Sequence, residues 1–479
     1  MAWLRARPVV VAALIAKVAL TMPVIGRYGW HIDELYYAAT ARHLAWGYVD
    51  FPPITPWIAR ASVALWGDSL VGLRTLSLLA GLGVVVVVVL IVEELGGSRR
   101  AQALAAVTVL ASSFFLGANI LFQPVPFDQL ASVLFLYAVT RLLVRQAPRE
   151  WWWVGASFGL ALETKYTIVA IAVGVFIGLI ATPARSLLRG WMPWLAGILA
   201  LAIAAPNLLW QATHHWPTLE FIGHQNAEVR HDYTPLHYLW EMPIVVSPVV
   251  FVLCVVGFRR LWREPRIRAL AIASAVVVLW YIVFGGKSYY PLTVFPMLMA
   301  AGVLEVADRA LRPWLIALVV GAVIALVGTL PVLTERQMAS SKIYKLREDY
   351  ALELGWPALV RTVAGVYRAL PTDERTDAIV YTANYGEAGA IDMWGHRYGL
   401  PKPVSGHNTY WFWRPPDRPD ATVVTVGFSS SRLATWFTDC QLAAHIRDER
   451  GIANQEHGRT VQICRGRRPG VVVPFKHFQ

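Results

Sequence analysis

Three carboxylates lie near the start of the chain, in a short polar segment between two long apolar runs. Asp33, Glu34 and Asp50 all fall within residues 26–69. A carboxylate within hydrogen-bonding distance of a hydroxyl group can take its proton, which is typically worth about 10²–10⁴ in rate. We therefore predict Asp33 and Glu34 as catalytic residues and Asp50 as a substrate-binding residue. The simpler alternative is that Asp33 only caps the helix that follows it.

A second set of residues has the chemistry to bind an anionic leaving group. Developing negative charge on a phosphate is stabilised by cations or a metal ion. Arg74 lies one turn inside an apolar run, where it either extends to the interface or meets an acid or a phosphate. Asp128 heads another run and either caps it or belongs to the site. The predicted substrate-binding set, besides Asp50, is Arg74, Asp128, Lys165, His215, Lys287, Tyr289 and Tyr290.

The spacing of residues also bears on two other functions, nucleotide binding and metal binding. The turn at Lys287 contains Gly-Lys-Ser, but Tyr281 stands where a phosphate-binding P-loop has its first glycine, which excludes nucleotide binding of that type. The histidines and carboxylates of the loop 210–233 match no closed metal-ligand pattern, and a polar interfacial loop is the better explanation for each of them. A divalent metal ion stays open as a cofactor, with Asp50 and His224 as candidate ligands.

The elements around these residues belong to a membrane protein. The chain is 56% hydrophobic and 15% charged, against roughly 45–50% and 25% for soluble proteins. A membrane-spanning helix needs about 20 mostly apolar residues. The sequence predicts about eleven spans, the weakest being 151–164 and 166–182: 8–25, 70–92, 101–118, 127–144, 151–164, 166–182, 191–212, 236–258, 268–284, 289–306 and 313–333.

The distribution of arginines predicts the orientation. Arginines cluster in alternate loops, which places those loops and the N-terminus in the cytoplasm, since positively charged loops stay inside. The segment 26–69 and the tail from 334 then lie outside a bacterial inner membrane. The first run lacks a small-residue cleavage site and is predicted to be a retained anchor. The net charge of +12 is dispersed over short loops, which argues against nucleic acid as a partner.

Two domains follow from this pattern. Residues 1–333 form the predicted transmembrane domain, with interfacial helices at 31–66, the first of them lying on the bilayer. Residues 334–479 form a predicted small α/β domain, with helices at 342–354, 357–370 and 430–437, strands at 378–381 and 422–426, and loops around 381–392 and 404–413. Cys440 and Cys464 both fall in this tail, where a disulfide is permitted but not required.

Five motifs in order resemble one family of membrane enzymes. They are Asp33-Glu-Leu-Tyr-Tyr, Gly47-Tyr-Val-Asp-Phe-Pro-Pro, the Glu-Thr-Lys165 turn, Trp210–Phe221 and Gly286-Lys-Ser-Tyr-Tyr-Pro. Together they resemble the bacterial branch of the dolichyl-phosphate-mannose protein mannosyltransferase-like family, GT-C glycosyltransferases related to aminoarabinose transferases. The tail motifs Tyr385-Gly-Glu-Ala-Gly and Ser405-Gly-His-Asn recur in some members. Where some relatives have Glu-Lys-Pro-Pro, this chain has Asp50-Phe-Pro-Pro and lacks the lysine.

The resemblance implies an α-helical GT-C-like fold and a polyprenyl-phosphate sugar as donor. The acceptor would be a lipid, a glycan or a protein of the cell envelope, with membrane lipids as further partners. Asp33 would correspond to the family's acidic residue that acts on the acceptor. The sequence contains no Asp-x-Asp motif of the kind that soluble nucleotide-sugar transferases commonly use. The alternatives are a transporter or flippase of lipid-linked sugars, a polysaccharide ligase, and a scaffold without catalysis.

Overall fold

A computed structural model describes residues 2–232, 234–345, 347–447 and 454–473. The chain divides into two compact units. The first unit comprises residues 1–25, 51–55 and 71–330, and the second comprises 26–50, 56–70 and 331–479. Two segments that the sequence predicted within the first domain, 26–50 and 56–70, therefore group with the tail.

The first unit is built from the apolar runs, and each predicted run is helical over most of its described length. Small residues let these helices approach closely, as at Gly257, where a Cβ atom would lie 2.0 Å from the carbonyl oxygen of Leu298. The helices, including 3₁₀ turns, are Ala2–Arg5, Pro8–Thr21, Leu70–Glu94, Arg99–Leu110, Ser113–Gly117, Ala118–Ile120, Pro124–Arg145, Glu150–Leu162, Ile168–Ile180, Pro183–Leu188, Met192–Thr213, Pro217–Asp232, Pro235–Val246, Pro248–Arg263, Arg268–Phe284, Tyr290–Val294, Phe295–Val306 and Leu311–Thr329.

Length and composition allow four of the described helices to cross a membrane, or up to six if each of two bent pairs counts as one span. Both pairs correct the sequence prediction. The run 101–118, predicted as one span, is broken after Leu110, and its two halves meet at an angle of 70°. The run 236–258, predicted as one span, is broken at Ser247, and its two halves meet at an angle of 107°. Ser247 has a positive φ of 85° and precedes Pro248, which cannot donate the hydrogen bond that would continue the helix.

The second unit combines the early acidic segment with the tail. We call Ile32–Thr40 the acidic helix and Tyr385–Trp394 the glycine helix. The acidic helix was predicted to lie on the bilayer, but its apolar face packs into the core of the tail. The helices of this unit, including 3₁₀ turns, are Ile32–Thr40, Ile54–Trp66, Glu335–Ser341, Ile343–Lys345, Glu348–Glu353, Trp356–Arg368, Thr372–Asp377, Tyr385–Trp394, Gly395–Tyr398, Asn408–Trp413 and Ser430–Trp436.

A five-stranded mixed sheet completes the second unit. Its strands are β1 (Ile379–Thr382), β2 (Val404–Ser405), β3 (Val423–Val426), β4 (Phe437–His445) and β5 (Thr460–Arg467), in the order β2-β1-β3-β5-β4. β1 runs parallel to β2 and β3, whereas β5 is antiparallel to β3 and β4. Cys440 and Cys464 face each other across β4 and β5 and form a disulfide.

Several tail predictions need correction. The predicted helix 342–354 is replaced by two 3₁₀ turns, Ile343–Lys345 and Glu348–Glu353. The segment 381–392, predicted as a loop, contains most of the glycine helix, because Asn384 and Glu387 cap its first turn reciprocally. β4 and β5 were not predicted. The helix Trp356–Arg368, the helix Ser430–Trp436 and the strands β1 and β3 agree with the sequence to within one or two residues.

Candidate active site

Asp33 lies in the first turn of the acidic helix, with its side chain 30% exposed. The helix is capped by other residues. The ring of His31 accepts a hydrogen bond from the backbone N–H of Asp33 at 3.2 Å, and the carboxylate of Glu34 accepts one from the N–H of His31 at 2.8 Å. Glu34 is fully buried in this role. His31 and Glu34 therefore cap the helix, and the alternative that Asp33 only caps it is wrong. The carboxylate of Asp33 is available for other contacts.

The carboxylate of Asp33 receives one strong hydrogen bond. Tyr385, the first residue of the glycine helix, donates its hydroxyl to Oδ1 of Asp33 at 2.7 Å. The ring of His31 lies 3.8 Å from Oδ2, beyond hydrogen-bonding distance. Among the residues that the structure describes, Oδ2 accepts no hydrogen bond. One oxygen of Asp33 is thus held, and the other can accept a proton.

Asp50 has a different environment, because both of its oxygens are occupied. Tyr36 donates its hydroxyl to Oδ1 at 2.8 Å, and the side-chain amide of Asn408 donates to Oδ2 at 3.0 Å. The hydroxyl of Thr409 lies 2.8 Å from that of Tyr36 and extends the chain of polar contacts. Burial raises the pKa of Asp50 to about 7, and the hydrogen bonds and Asp33 contribute smaller effects. Asp50 is therefore poised between its neutral and charged forms near neutral pH.

Aromatic rings surround the two acids. Tyr36 stacks on Tyr385 and Tyr410 with centroid separations of 5.0 and 6.0 Å, and Trp413 stacks on His43 at 4.5 Å. Burial, followed by the charge of Asp33, raises the pKa of Tyr385 well above its usual value. Tyr385 therefore remains a neutral hydrogen-bond donor at physiological pH, and its position is fixed by stacking.

In the first unit, Lys165 is the centre of a second cluster. Its ammonium group lies over the ring of Tyr290 at 4.3 Å and near that of Tyr289 at 5.5 Å. Lys165 is also within electrostatic range of Asp128, which accepts a hydrogen bond from the hydroxyl of Thr167 at 2.8 Å. Asp128 lies inside its helix and not at its N-cap, so it orients neighbours instead of capping. The predicted residues Asp128, Lys165, Tyr289 and Tyr290 thus come together.

Lys287 lies in a tight turn beside this cluster. Gly285 and Gly286 adopt positive φ angles of 85° and 132°, a conformation that glycine tolerates best, and Tyr238 donates its hydroxyl to the carbonyl of Gly286. The side chain of Lys287 is exposed and acts electrostatically on Tyr290. Two cations therefore flank the same tyrosine pair, which is an arrangement suited to an anionic head group.

Other predicted residues have separate surroundings. Arg74 is buried and donates to the carbonyl oxygen of Ile25 at 2.6 Å. His215 is exposed, in a turn with a positive φ of 63° after the helix Met192–Thr213. Among described residues the structure shows no side-chain hydrogen bond that ties His215 to the cluster around Lys165.

The described residues do not provide a ligand set for a metal ion. Within them, no group of three or more His, Cys, Asp or Glu side chains converges. The oxygens of the candidate ligand Asp50 face hydrogen-bond donors from Tyr36 and Asn408, which compete with a cation. His224, the other candidate, is exposed on the helix Pro217–Asp232. The described residues therefore do not form a site for a resident metal, and no catalytic step is assigned to one.

The sequence did not predict the residues that hold the acids. Tyr36, Tyr385 and Asn408 donate to them, and Thr409 contacts Tyr36, yet none was assigned to the site. A signal existed for two of them, because Tyr385 and Asn408 belong to the tail motifs that recur in some members of the resembled family. A motif without a catalytic residue type gives no indication of which distant side chain it contacts.

Comparison with known proteins identifies similar glycosyltransferases. A family model described as dolichyl-phosphate-mannose-protein mannosyltransferase matches residues 50–210. The chain is similar to the lipid A galacturonosyltransferase RgtD of Rhizobium johnstonii, with 25% identity over 256 residues. The fold is similar to the crystal structure of ArnT from Cupriavidus metallidurans bound to undecaprenyl phosphate, with a TM-score of 0.60 and 15% identity, covering 96% of this chain and 98% of that one.

The resemblance to the GT-C glycosyltransferases is confirmed. The apo form of the same ArnT gives a TM-score of 0.57 at 15% identity and the same coverage of the two chains. The match to RgtD spans 49% of this chain and 49% of that protein, so the chain matches about half the length of this curated relative. The chain therefore has a mostly helical fold similar to that of ArnT, with helices long and apolar enough to cross a membrane, whereas its activity and substrates belong to the proposal below.

Proposed function

We propose that the protein is a membrane glycosyltransferase that moves a sugar from a polyprenyl-phosphate donor to a hydroxyl group of a cell-envelope acceptor. The observation that carries the proposal is the state of Asp33. Its Oδ1 is held by Tyr385 at 2.7 Å, its Oδ2 has no described hydrogen bond, and its side chain is 30% exposed. A carboxylate that is oriented at one oxygen and open at the other is suited to take a proton.

In the proposed step, Oδ2 of Asp33 accepts the proton of the acceptor hydroxyl. The acceptor oxygen then bonds to the anomeric carbon of the sugar. The bond between that carbon and the phosphate oxygen breaks, and its electron pair leaves with the polyprenyl phosphate. Cations stabilise the charge that develops on such a phosphate, and Lys165 and Lys287 have the chemistry to bind it. Asp128 lies within electrostatic range of Lys165 and is assigned the role of orienting its ammonium group.

The relatives support one class of donor and one class of acceptor. ArnT was crystallised with undecaprenyl phosphate, and RgtD acts on lipid A. We therefore propose a polyprenyl phosphate as the lipid carrier and favour a lipid acceptor over a protein or glycan. The transporter alternative is not favoured, because these relatives include a named sugar transferase.

The orientation is part of the proposal. We propose about eleven spans in a bacterial inner membrane, with a cytoplasmic N-terminus and the tail outside. The disulfide between Cys440 and Cys464 supports this, since disulfides persist in oxidising compartments and are rare in the cytosol. The arginine distribution supports the same orientation.

The test is transfer by the purified protein, followed as release of polyprenyl phosphate. The donors are polyprenyl phosphates that carry a neutral hexose, a uronic acid or an aminopentose, each with lipid A as acceptor. We expect one donor class to support turnover and Asp33→Asn to lose at least about 100-fold in kcat. Full activity of a folded Asp33→Asn variant would refute the role of Asp33, and no transfer from any donor to lipid A or to envelope extracts would refute the proposed function.

A further inference from the structure

The two tail motifs each place one hydrogen-bond donor on one of the two N-terminal acids. Tyr385, in Tyr385-Gly-Glu-Ala-Gly, donates to Asp33 at 2.7 Å. Asn408, in Ser405-Gly-His-Asn, donates to Asp50 at 3.0 Å. These pairs are separated by 352 and 358 residues in the sequence, so the contacts result from the fold of the second unit and not from local chain geometry.

We propose that Tyr385 and Asn408 are positioning residues of the glycosyltransferase site, Tyr385 for the catalytic base Asp33 and Asn408 for Asp50. The inference rests on the proposed function and extends it to the tail. Neither residue is assigned a contact with substrate. Each acts through the acid that it orients.

The structure gives Tyr385 little freedom to move. It follows Asn384, whose side chain caps the glycine helix by accepting from the backbone N–H of Glu387 at 2.8 Å. Its ring stacks on that of Tyr36 at 5.0 Å and contacts the tilted ring of His407 at 4.8 Å. A hydroxyl fixed by both backbone and stacking can hold a carboxylate in one rotamer, which is the main requirement for a preorganised base.

The glycine helix also determines how close the acidic helix can approach. A Cβ atom at Gly386 would lie 2.2 Å from Cγ1 of Ile32, and one at Gly389 would lie 2.8 Å from the carbonyl carbon of Leu35. No side chain larger than hydrogen fits at either position without displacement. The glycines of the motif therefore allow the contact that Tyr385 makes with Asp33.

Asn408 is placed by an unusual backbone conformation. It has a φ of 48°, in the left-handed region that asparagine tolerates better than most residues. Its neighbour Thr409 donates its backbone N–H to the hydroxyl of Tyr36 at 3.1 Å, and Tyr36 in turn contacts Asp50. The Asn408–Thr409 pair thus determines the position of both oxygens of Asp50.

The resulting asymmetry assigns different roles to the two acids. Asp33 is held at one oxygen and open at the other, whereas Asp50 is held at both. A base needs an open oxygen, and an orienting group does not. The tail motifs would therefore determine which of the two carboxylates takes the proton.

Tyr385→Phe tests the positioning of Asp33 by Tyr385, because it keeps the stacking ring and removes the hydroxyl. Tyr367→Phe is the matched control, since Tyr367 donates its hydroxyl at 2.8 Å to a backbone carbonyl, that of Arg375, in the same unit. We expect Tyr385→Phe to lower kcat about 10- to 100-fold, as a misplacement of about 1 Å can do. The donor KM should stay within about threefold, because removal of a transition-state contact lowers kcat without changing ground-state binding. The control should keep the wild-type kcat.

A double variant separates positioning from a general loss of structure. In an Asp33→Asn background, Tyr385→Phe should cause no further loss, because the group that it positions is gone. Equal losses in both backgrounds would overturn the proposal. So would an unchanged kcat in Tyr385→Phe when Asp33→Asn is inactive, an outcome that leaves the proposed function standing. An inactive wild-type protein would overturn both.

Two variants test Asn408. Asn408→Gly and Asn408→Ala both remove the amide, but only alanine is strained at a positive φ. We expect equal losses of kcat, about tenfold or more, and a lower Tm for Asn408→Ala alone. If kcat falls only in the alanine variant, in which Tm also falls, Asn408 is needed for its backbone conformation and not for its amide. That result would overturn its positioning role.

Discussion

Replacement of Gly389 by alanine perturbs the proposed site without changing any polar side chain. The added Cβ atom would lie 2.8 Å from the carbonyl carbon of Leu35, whereas ordinary contact begins at 3.4 Å. The acidic helix must therefore move away by roughly 0.6 Å, the difference between these distances. Asp33 lies two residues before Leu35 on the same helix and would move with it.

The expected effect on rate follows from that displacement. The hydrogen bond from Tyr385 to Asp33 is 2.7 Å long, and lengthening by about 0.6 Å takes it beyond the usual range for O–H···O bonds, about 2.5–3.0 Å. A misplacement of about 1 Å can cost about 100-fold in rate, so we expect kcat of Gly389→Ala to fall about tenfold. Overpacking should also cost about 1–3 kcal/mol in the free energy of unfolding, partly offset by the better helix propensity of alanine.

The assay is steady-state transfer with detergent-purified protein, with thermal unfolding measured on the same samples. Gly365→Ala is the control, because Gly365 lies in the helix Trp356–Arg368 of the same unit and a Cβ atom there meets nothing within 4 Å. The control should keep its kcat and gain about 0.5–1 kcal/mol in the free energy of unfolding. A Gly389→Ala variant with reduced Tm and unchanged kcat would refute the link between helix packing and catalysis.

Three further predictions concern the donor site, pH and the disulfide. Lys165→Ala and Lys287→Ala should each raise the donor KM severalfold and leave Tm unchanged; an unchanged KM would remove that lysine from the site. Because burial raises the pKa of Asp50 from 3.8 to about 7, the folded protein retains a proton that the unfolded chain releases between those values. The free energy of unfolding should therefore fall as pH rises through this range, and Asp50→Asn should flatten this part of the curve of Tm against pH; an equal slope would contradict it. Replacement of Cys440 and Cys464 by serine should lower the free energy of unfolding by about 3 kcal/mol, for a separation of 24 residues, measured by denaturant unfolding, while kcat at a permissive temperature stays at its wild-type value.

The sequence predicted the fold best where the apolar signal was long. Each apolar run is helical, and the helix Ile54–Trp66 has the predicted bounds because Pro52 and Pro53 prevent an earlier start. The glycine helix was missed because each interior glycine costs about 1 kcal/mol in helix propensity. Packing against the acidic helix favours that helix despite the cost, and a single sequence contains no sign of this tertiary contact.

The candidate site was predicted only in part, because a single sequence also contains no sign of the tertiary contacts within it. Asp33 and Asp50 stand out as acids next to apolar runs, and Lys165 and Lys287 as cations in turns that the sequence predicts to face outward. Tyr385 and Asn408 carry no charge and lie more than 350 residues away from the acids that they contact. Tyrosine and asparagine are common in C-terminal segments of unrelated proteins. Spacing alone therefore could not associate them with a proton-transfer site.

The burial of the acidic helix explains why the tail is part of the proposed chemistry. Its residues Ile32, Leu35 and Ala38 are at most 6% exposed and pack in one core with Trp356 and Leu359 of the tail. Burying a large aliphatic side chain is worth about 1.5–3 kcal/mol, so two such residues and an alanine supply several kcal/mol that hold this helix in place. The helix that carries Asp33 and the domain that carries Tyr385 therefore form one cooperative unit. A carboxylate attached to a core in this way keeps its orientation through each turnover, which a carboxylate on a free interfacial helix would not.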